Sequence, residues 1–366
     1  MLSFALVLLV SEKPDTSFAR LIQIPPPVSR YEPIRDKVLE EASKLGRGIT
    51  LSMGYIDAAG VMAQARFPEW RYFDPVIDGA LKRGIRKIRL KIGGGPPKHR
   101  SWIELNGGKR WNEPYRPPKG PDYAVWNKIV SYKQATIDRA YNKVKKAGLD
   151  PKEALEIEIA TEPCKGGSDG PWTTAGPFRY QHPFDHTPEG TWDDQIHEQL
   201  SYEAQKLDYK GLRVFSPAFE YQSEETFAQE LATFKSPKGE AWRKRVDVWV
   251  LNLYPNLQGT GKSSLYDAVR SFREKGTKAL RVLRGQREIG RDAQIAIGEH
   301  GWTLEKLNRS KSDQNEVFRG EVIKACEEAA VQMGFESVSL YALAEDKWGL
   351  FDEAMRPKPA RTSFSE

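Results

Sequence analysis

The chain has 366 residues, 39% hydrophobic and 29% charged, a soluble globular balance with enough apolar material for a large core. Its net charge of +6 is spread thinly except over residues 82–119. With no zinc-ligand spacing, helix-turn-helix pattern or long basic tract, nucleic acid is not an expected partner. The two cysteines demand no oxidising compartment, and the apolar N-terminal run is too short to span a membrane, so no membrane partner is expected.

In chain order, strand-like runs fall at residues 3–10, 48–54, 85–92, 155–161, 212–215, 246–253, 294–298 and 337–343. Helix-period segments lie between them, at about 33–45, 72–83, 123–147, 191–207, 224–234, 264–284 and 313–333. The strands are apolar nearly throughout, as in a parallel sheet covered on both faces. Eight strands in strict alternation with helices predict a single (β/α)8 barrel over residues 1–366.

The first and last elements need separate argument. "MLSFALVLLVSEKPD" has the apolar centre of a signal peptide, but no positive n-region and no small-x-small cleavage site. A barrel of eight needs this run as its first strand, so residues 3–10 are expected there, with localisation left open. After strand eight, "WGLFDEAMRPKPARTSFSE" leaves room for a short eighth helix or none.

Two long βα loops follow strands three and four, at 93–122 and 163–190. In such a barrel these loops build the active face, and long irregular loops are usually functional. Many of the 10 Trp, 14 Tyr and 15 Phe lie in Gly/Pro-rich loops, Trp111 among them, where rings stack on sugars or pack the loop. His182 and His186 have i, i+4 spacing, but Pro183 and Pro188 argue against a helix there, so no metal site is expected. "GGGPP" lacks the helix start of a phosphate loop. No cofactor is expected.

The chemistry resides in two strand ends. "IEIATEP" closes an apolar strand on Glu162, and Pro163 stops it; "AQIAIGEHGW" closes another on Glu299. These are strands four and seven, three apart, and both open onto the same face. Two carboxylates across a pocket serve glycosidic cleavage: one protonates the leaving oxygen, and the other attacks the anomeric carbon or activates water. Their proximity splits their pKa values. Glu220 and Asp346 are competing carboxylates at strands five and eight.

Alternation places Lys87, Arg89 and Lys91 inward on strand three beside Glu158 on strand four. An unpaired buried charge is too costly to keep, so these form a paired network, or else Arg89 and Lys91 join His99, Arg100 and Arg110 in gripping an anionic sugar. Tyr254 shares parity with Asn252, Val250 and Val248 on strand six. Cys326 shares an apolar helix face with Val322, Ala329, Ala330 and Met333, and is expected in the core.

Five stretches together resemble a known family. "FDPVIDGALKRGIRKIRLKIGGGPP", "IEIATEPC", "VDVWVLNLYP", "IAIGEHGW" and "WGLFDEAMRPKPA" stand in the order and spacing of the clan A glycoside hydrolases. The pattern is most similar to their β-xylosidase and α-L-iduronidase branch. The resemblance implies a (β/α)8 retaining glycosidase with a glycan substrate. It implies Glu162 as general acid/base, Glu299 as nucleophile, Tyr254 as partner of the nucleophile, and Trp302 and Trp348 lining sugar subsites. His300, next to Glu299, is expected at the rim. Three positions depart from the family pattern: Thr161 replaces the usual Asn before the acid/base, Asn252 a frequent His, and Tyr341 the usual Trp ending strand eight. With Arg89 and Trp111, these are the expected substrate-binding residues. Sugar, linkage, endo or exo action and oligomeric state stay open. Rival readings are a barrel lyase or aldolase working through Lys91, and a non-catalytic glycan-binding barrel.

Overall fold

The computed structural model describes residues 18–24, 29–52, 70–92, 123–159, 191–221, 227, 231, 236–255, 257 and 263–365. The strands are β1 (Ala19–Gln23), β2 (Gly48–Ser52), β3 (Ile88–Lys91), β4 (Leu155–Glu158), β5 (Arg213–Glu220), β6 (Val248–Leu253), β7 (Gln294–His300) and β8 (Ser337–Leu340). They pair in sequence order, all parallel, and β8 returns to β1 to close the barrel. The (β/α)8 class is the one the sequence predicts.

One expected strand is corrected. β1 is Ala19–Gln23, and residues 3–10 lie outside the described residues. The barrel closes without them, so the strand count says nothing about that stretch. The sequence Ala-Arg-Leu-Ile-Gln carries only a short apolar centre, and its place is fixed by pairing: Leu21 opposes Gly48 on one side and Ser339 on the other.

The helices between strands include α1 (Arg35–Lys44), α2 (Trp70–Lys82), α3 (Tyr123–Lys146), α4 (Pro151–Ala154), α5 (Thr191–Lys206), α6 (Glu240–Arg243), α7 (Leu265–Arg284) and α8 (Asp313–Gln332). Caps set their starts. Ser264 and Asp267 form a reciprocal capping box at α7, and the Ser312 side chain accepts from Asn315 N at α8. The short helix α9 (Ala360–Ser365) stands in the eighth position. Its Phe364 ring lies 4.2 Å from the Arg47 guanidinium, and Arg361 reaches Glu41 at 3.2 Å.

Alternation divides the strands between two cores. Ile49, Leu51, Ile88, Leu90, Ile157, Leu251, Ile295 and Val338 are fully buried toward the helices. Inside the barrel, Phe215, Ala218, Val248, Val250 and Ala296 form a separate apolar cluster on the β5–β7 side. The β1–β4 and β8 side is polar: Thr50 bonds Ser339 at 2.9 Å, and Arg89 bonds Glu156 at 2.9 Å and Ser337 at 2.7 Å. The expected inner network of Lys87, Arg89, Lys91 and Glu158 is present and paired, with Lys87 on Glu156 at 3.3 Å. The Glu156 carboxyl is held below its ordinary range: burial opposes its charge, and Arg89 and Lys87 outweigh burial.

Two strands are longer than their apolar runs. β5 continues past Phe215 to Glu220 because an extra residue is absorbed at Ser216–Pro217, where the pairing with β6 shifts. Ser216 Oγ accepts from Val250 N at 2.8 Å across that irregularity. β7 runs on to His300 through a second shift, described below.

Candidate active site

Glu299 stands at the C-terminal mouth of the barrel because β7 is irregular there. By strict alternation it shares a face with Ile295 and Ile297, both buried toward the helices. The register breaks between Leu251–Ile297 and Asn252–Glu299, and the pairing with β8 slips at the same place. One extra residue in β7 reverses the alternation, so Glu299 turns inward and His300 outward. Gly298 permits this. A Cβ there would run into Val250 Cγ1 and lie 2.9 Å from Asn252 Oδ1.

The carboxylate of Glu299 is 8% exposed and held at both oxygens. Lys91 Nζ donates to Oε1 at 2.6 Å, and the Tyr254 hydroxyl donates to Oε2 at 2.7 Å. Lys91 also donates to Gln23 Oε1 at 3.2 Å and lies 3.8 Å from Glu158 Oε1. Burial works against the Lys91 ammonium, but Glu158 and Glu299 outweigh it, so its pKa is raised and the amine stays protonated.

Three half-buried aromatic side chains stand beside this carboxylate. Tyr254 packs edge-on against Trp348 at 5.2 Å and Tyr341 at 6.4 Å, and Tyr341 meets Trp348 at 6.2 Å. Lys306 Nζ lies 5.3 Å from the Tyr254 ring centre and 5.0 Å from that of Trp348. The peptide between Tyr341 and Ala342 is cis. Trp348 is fixed by its backbone N–H, which donates to Glu345 Oε2 at 2.6 Å, and by its carbonyl, which accepts from the buried Arg319 at 2.8 Å.

Of the residues singled out in the sequence, the structure therefore brings Glu299, Tyr254, Tyr341 and Trp348 together. Glu162, Thr161 and Trp111 lie outside the described residues, as do both long loops. Four other residues singled out in the sequence are buried. Arg89 is fully buried in the barrel interior, paired with Glu156, bonded to Ser337 and stacked 3.9 Å from the Phe215 ring, as a core ion-pair residue is. Asn252 is fully buried and is the register partner of Glu299 on the neighbouring strand. Trp302 is fully buried in the outer core near Cys326, with no face for a sugar. His300, expected at the rim, is fully buried outside the barrel wall, 3.2 Å from Glu327 Oε1 and edge-on to Phe272.

Cys326 is buried as expected, and burial pushes its thiol up to about 12. Asp346, a competing carboxylate, is exposed and accepts from Glu353 N at 3.4 Å, in the loop after β8. Gln23 was hidden by the misplaced first strand, and Lys306 carried no motif; its only sequence signal is a basic residue shortly after a strand-seven carboxylate. Among the described residues, no group of three or more His, Cys, Asp or Glu is placed to hold a metal ion, and no helix is long and apolar enough to cross a membrane.

No protein-family model matches the chain, and no curated protein matches it in sequence. Solved structures do resemble it. A GH5_18 protein of Bifidobacterium longum subsp. longum, in complex with Manb1-4GlcNAc, superposes with a TM-score of 0.58 at 14% identity, over 95% of this chain and 77% of that one. A beta-glucosidase from Thermotoga maritima, in complex with deoxynojirimycin, gives 0.55 at 10% identity over 96% of both chains. An endo-1,4-beta-D-xylanase of Clostridium thermocellum, complexed with xylohexaose, gives 0.54 at 10% identity over 95% of this chain and 66% of that one. At these identities the likeness establishes a shared barrel fold.

Proposed function

We propose that the chain is a retaining glycoside hydrolase that cleaves a β-linked oligo- or polysaccharide by double displacement. The observation that carries this reading is Glu299: a carboxylate at the barrel mouth, held by a tyrosine hydroxyl and an ammonium, beside half-buried aromatic rings. The five motifs similar to clan A hydrolases support it, closest in pattern to the β-xylosidase and α-L-iduronidase branch. The glycan-active proteins that share the fold support it as well.

In this mechanism the Glu299 carboxylate attacks the anomeric carbon, and the leaving oxygen takes a proton from Glu162. Water activated by Glu162 then hydrolyses the glycosyl ester, which restores the β configuration. Tyr254 and Lys91 hold the nucleophile in one orientation. Trp348 and Tyr341 offer faces for a sugar ring. No step calls for a cofactor. The lyase or aldolase alternative needs a neutral lysine, whereas Lys91 is kept protonated by two carboxylates.

The test is hydrolysis of aryl β-glycosides and of plant, algal and bacterial glycans by wild type, Glu162→Ala and Glu299→Ala. Both variants are expected to lose turnover. Azide should restore it, with an α-glycosyl azide from Glu299→Ala and a β-glycosyl azide from Glu162→Ala. Variants that hydrolyse as well as wild type would refute the two-glutamate reading. Equal glycan binding by all three proteins, with no cleavage by any, would establish a binding barrel instead.

A further inference from the structure

Four backbone carbonyls in the loop after β8 converge on two cations. Arg319 on α8 is fully buried, and its Nη1 donates to Trp348 O at 2.8 Å and its Nη2 to Gly349 O at 2.8 Å. Lys358 Nζ donates to Glu345 O at 2.8 Å and also to Asp346 O. Burial and the neighbouring guanidinium both pull the Lys358 ammonium below its ordinary range. Two like charges are thus held together beside one short turn, against their mutual repulsion. Glu316 pairs with Arg319 at 2.7 Å, and Glu345 and Asp346 add opposing charge.

Arg319 also reaches the strand of the nucleophile. Its Nη1 donates to Trp302 O at 3.3 Å, three residues past Glu299 in the chain. One planar guanidinium therefore ties the loop after β8 to the end of β7. The Trp348 ring is seated from that side as well. A Cβ on Gly301 would lie 3.0 Å from Trp348 Cε3 and 2.6 Å from Tyr341 O, so the indole rests against bare backbone just past Glu299. With Glu345 Oε2 on the Trp348 N–H, the chain is held on both sides of the Trp348 Cα, and only the side-chain torsions remain. Edge contacts with Tyr254 at 5.2 Å and Tyr341 at 6.2 Å restrict those.

We propose that Arg319 and Lys358 are positioning residues that act through Trp348: they set where its ring stands relative to Glu299, and so where a sugar stacked on that ring presents its anomeric carbon. This rests on Glu299 and Trp348 meeting the same glycan. Arg319, fully buried, acts only through what it holds. A nucleophile attacks from a narrow range of distance and angle. A stacking ring carried on a loop therefore needs that loop fixed to the nucleophile's own strand, and the forked guanidinium bonds both at once. A lysine at position 319 would keep the charge but lose the fork.

The experiment has two readouts. The first, independent of activity, is the 19F spectrum of fluorotryptophan-labelled protein, with the Trp348 resonance assigned from Trp348→Phe. That resonance is expected to shift or broaden in Arg319→Lys and in Lys358→Met, measured well below the unfolding transition. The second is a double-mutant cycle on kcat/KM for an aryl β-glycoside. Each cation variant alone should lower kcat/KM by roughly 3–10-fold, the worth of one aromatic stacking contact. In a Trp348→Ala background the same changes should cost nothing further, because the ring they position is gone. Lys358→Met keeps the test open should Arg319→Lys fail to fold, since Lys358 is only half-buried and water can reach the carbonyls it releases. A Trp348 resonance unchanged in the variants, or losses that add to that of Trp348→Ala, would overturn the proposal. A moved resonance in a protein that cleaves no glycoside would uphold the positioning and refute the hydrolase reading alone.

Discussion

The hydroxyl of Tyr254 donates to Oε2 of Glu299 at 2.7 Å, while the same ring packs edge-on against Trp348 at 5.2 Å. A single side chain thus fixes the carboxylate and builds the wall beside it. Tyr254→Phe separates the two tasks, because the ring contacts stay and the bond to the carboxylate goes. A hydrogen bond to a charged group is worth about 1.5–3 kcal/mol. The expected outcome is a kcat/KM lower by roughly 10–100-fold with little change in melting temperature. Steady-state kinetics and calorimetry on the same preparation check both halves.

Gly298 is the residue that lets β7 turn Glu299 inward. Gly298→Ala places a methyl group against Val250 Cγ1 and 2.9 Å from Asn252 Oδ1, inside a filled barrel. Overpacking of this kind costs about 1–3 kcal/mol. The bulge must shift to relieve it, so activity should fall by more than the stability loss explains. Chemical denaturation gives the stability term, and activity measured well below the unfolding transition gives the other. A fully active but destabilised variant would show that the bulge does not aim Glu299.

Glu327 on α8 makes stability depend on acid pH. Burial alone would raise its pKa, but Arg47 and His300 bring it from 4.5 down to about 2. A carboxyl depressed in the folded state stabilises above its unfolded pKa and loses that contribution as pH falls through the folded one. The window is therefore pH 4.5 to about 2, and the contribution about 3 kcal/mol. Glu327→Gln leaves Arg47 buried without its counterion, and should lower the melting temperature strongly at pH 6. Its deficit against wild type should shrink steadily toward pH 2. Melting curves across that range decide the matter, and a constant deficit would contradict it.

The charged ladder inside the barrel was legible from residue order alone. Lys87, Arg89 and Lys91 alternate with Ile88, Leu90 and Ile92, and a strand so patterned in a two-sided sheet must pair its charges within. The strands and helices emerged the same way, since period 2 and period 3.6 are written into which residues are apolar. β1 was not, because Ala19–Gln23 is less apolar than residues 3–10 and is held by its neighbours Gly48 and Ser337–Leu340.

The sequence by itself determined the barrel, the strand that carries Glu299 and the aromatic neighbourhood of that strand end. Only the tertiary structure decided which way the residues point once alternation fails. Glu299 has the parity of Ile295 and Ile297, and His300 that of Gly298, so a local reading gives both the wrong side. Register is a property of three strands at once: β7 slips by one residue against β6 and β8 together, and that slip alone sends Glu299 to Lys91 and His300 to Glu327. Trp302 follows the same rule. Its apolar ring fits a sugar subsite or a core equally well on composition, and packing against Cys326 and the outer core is what buries it.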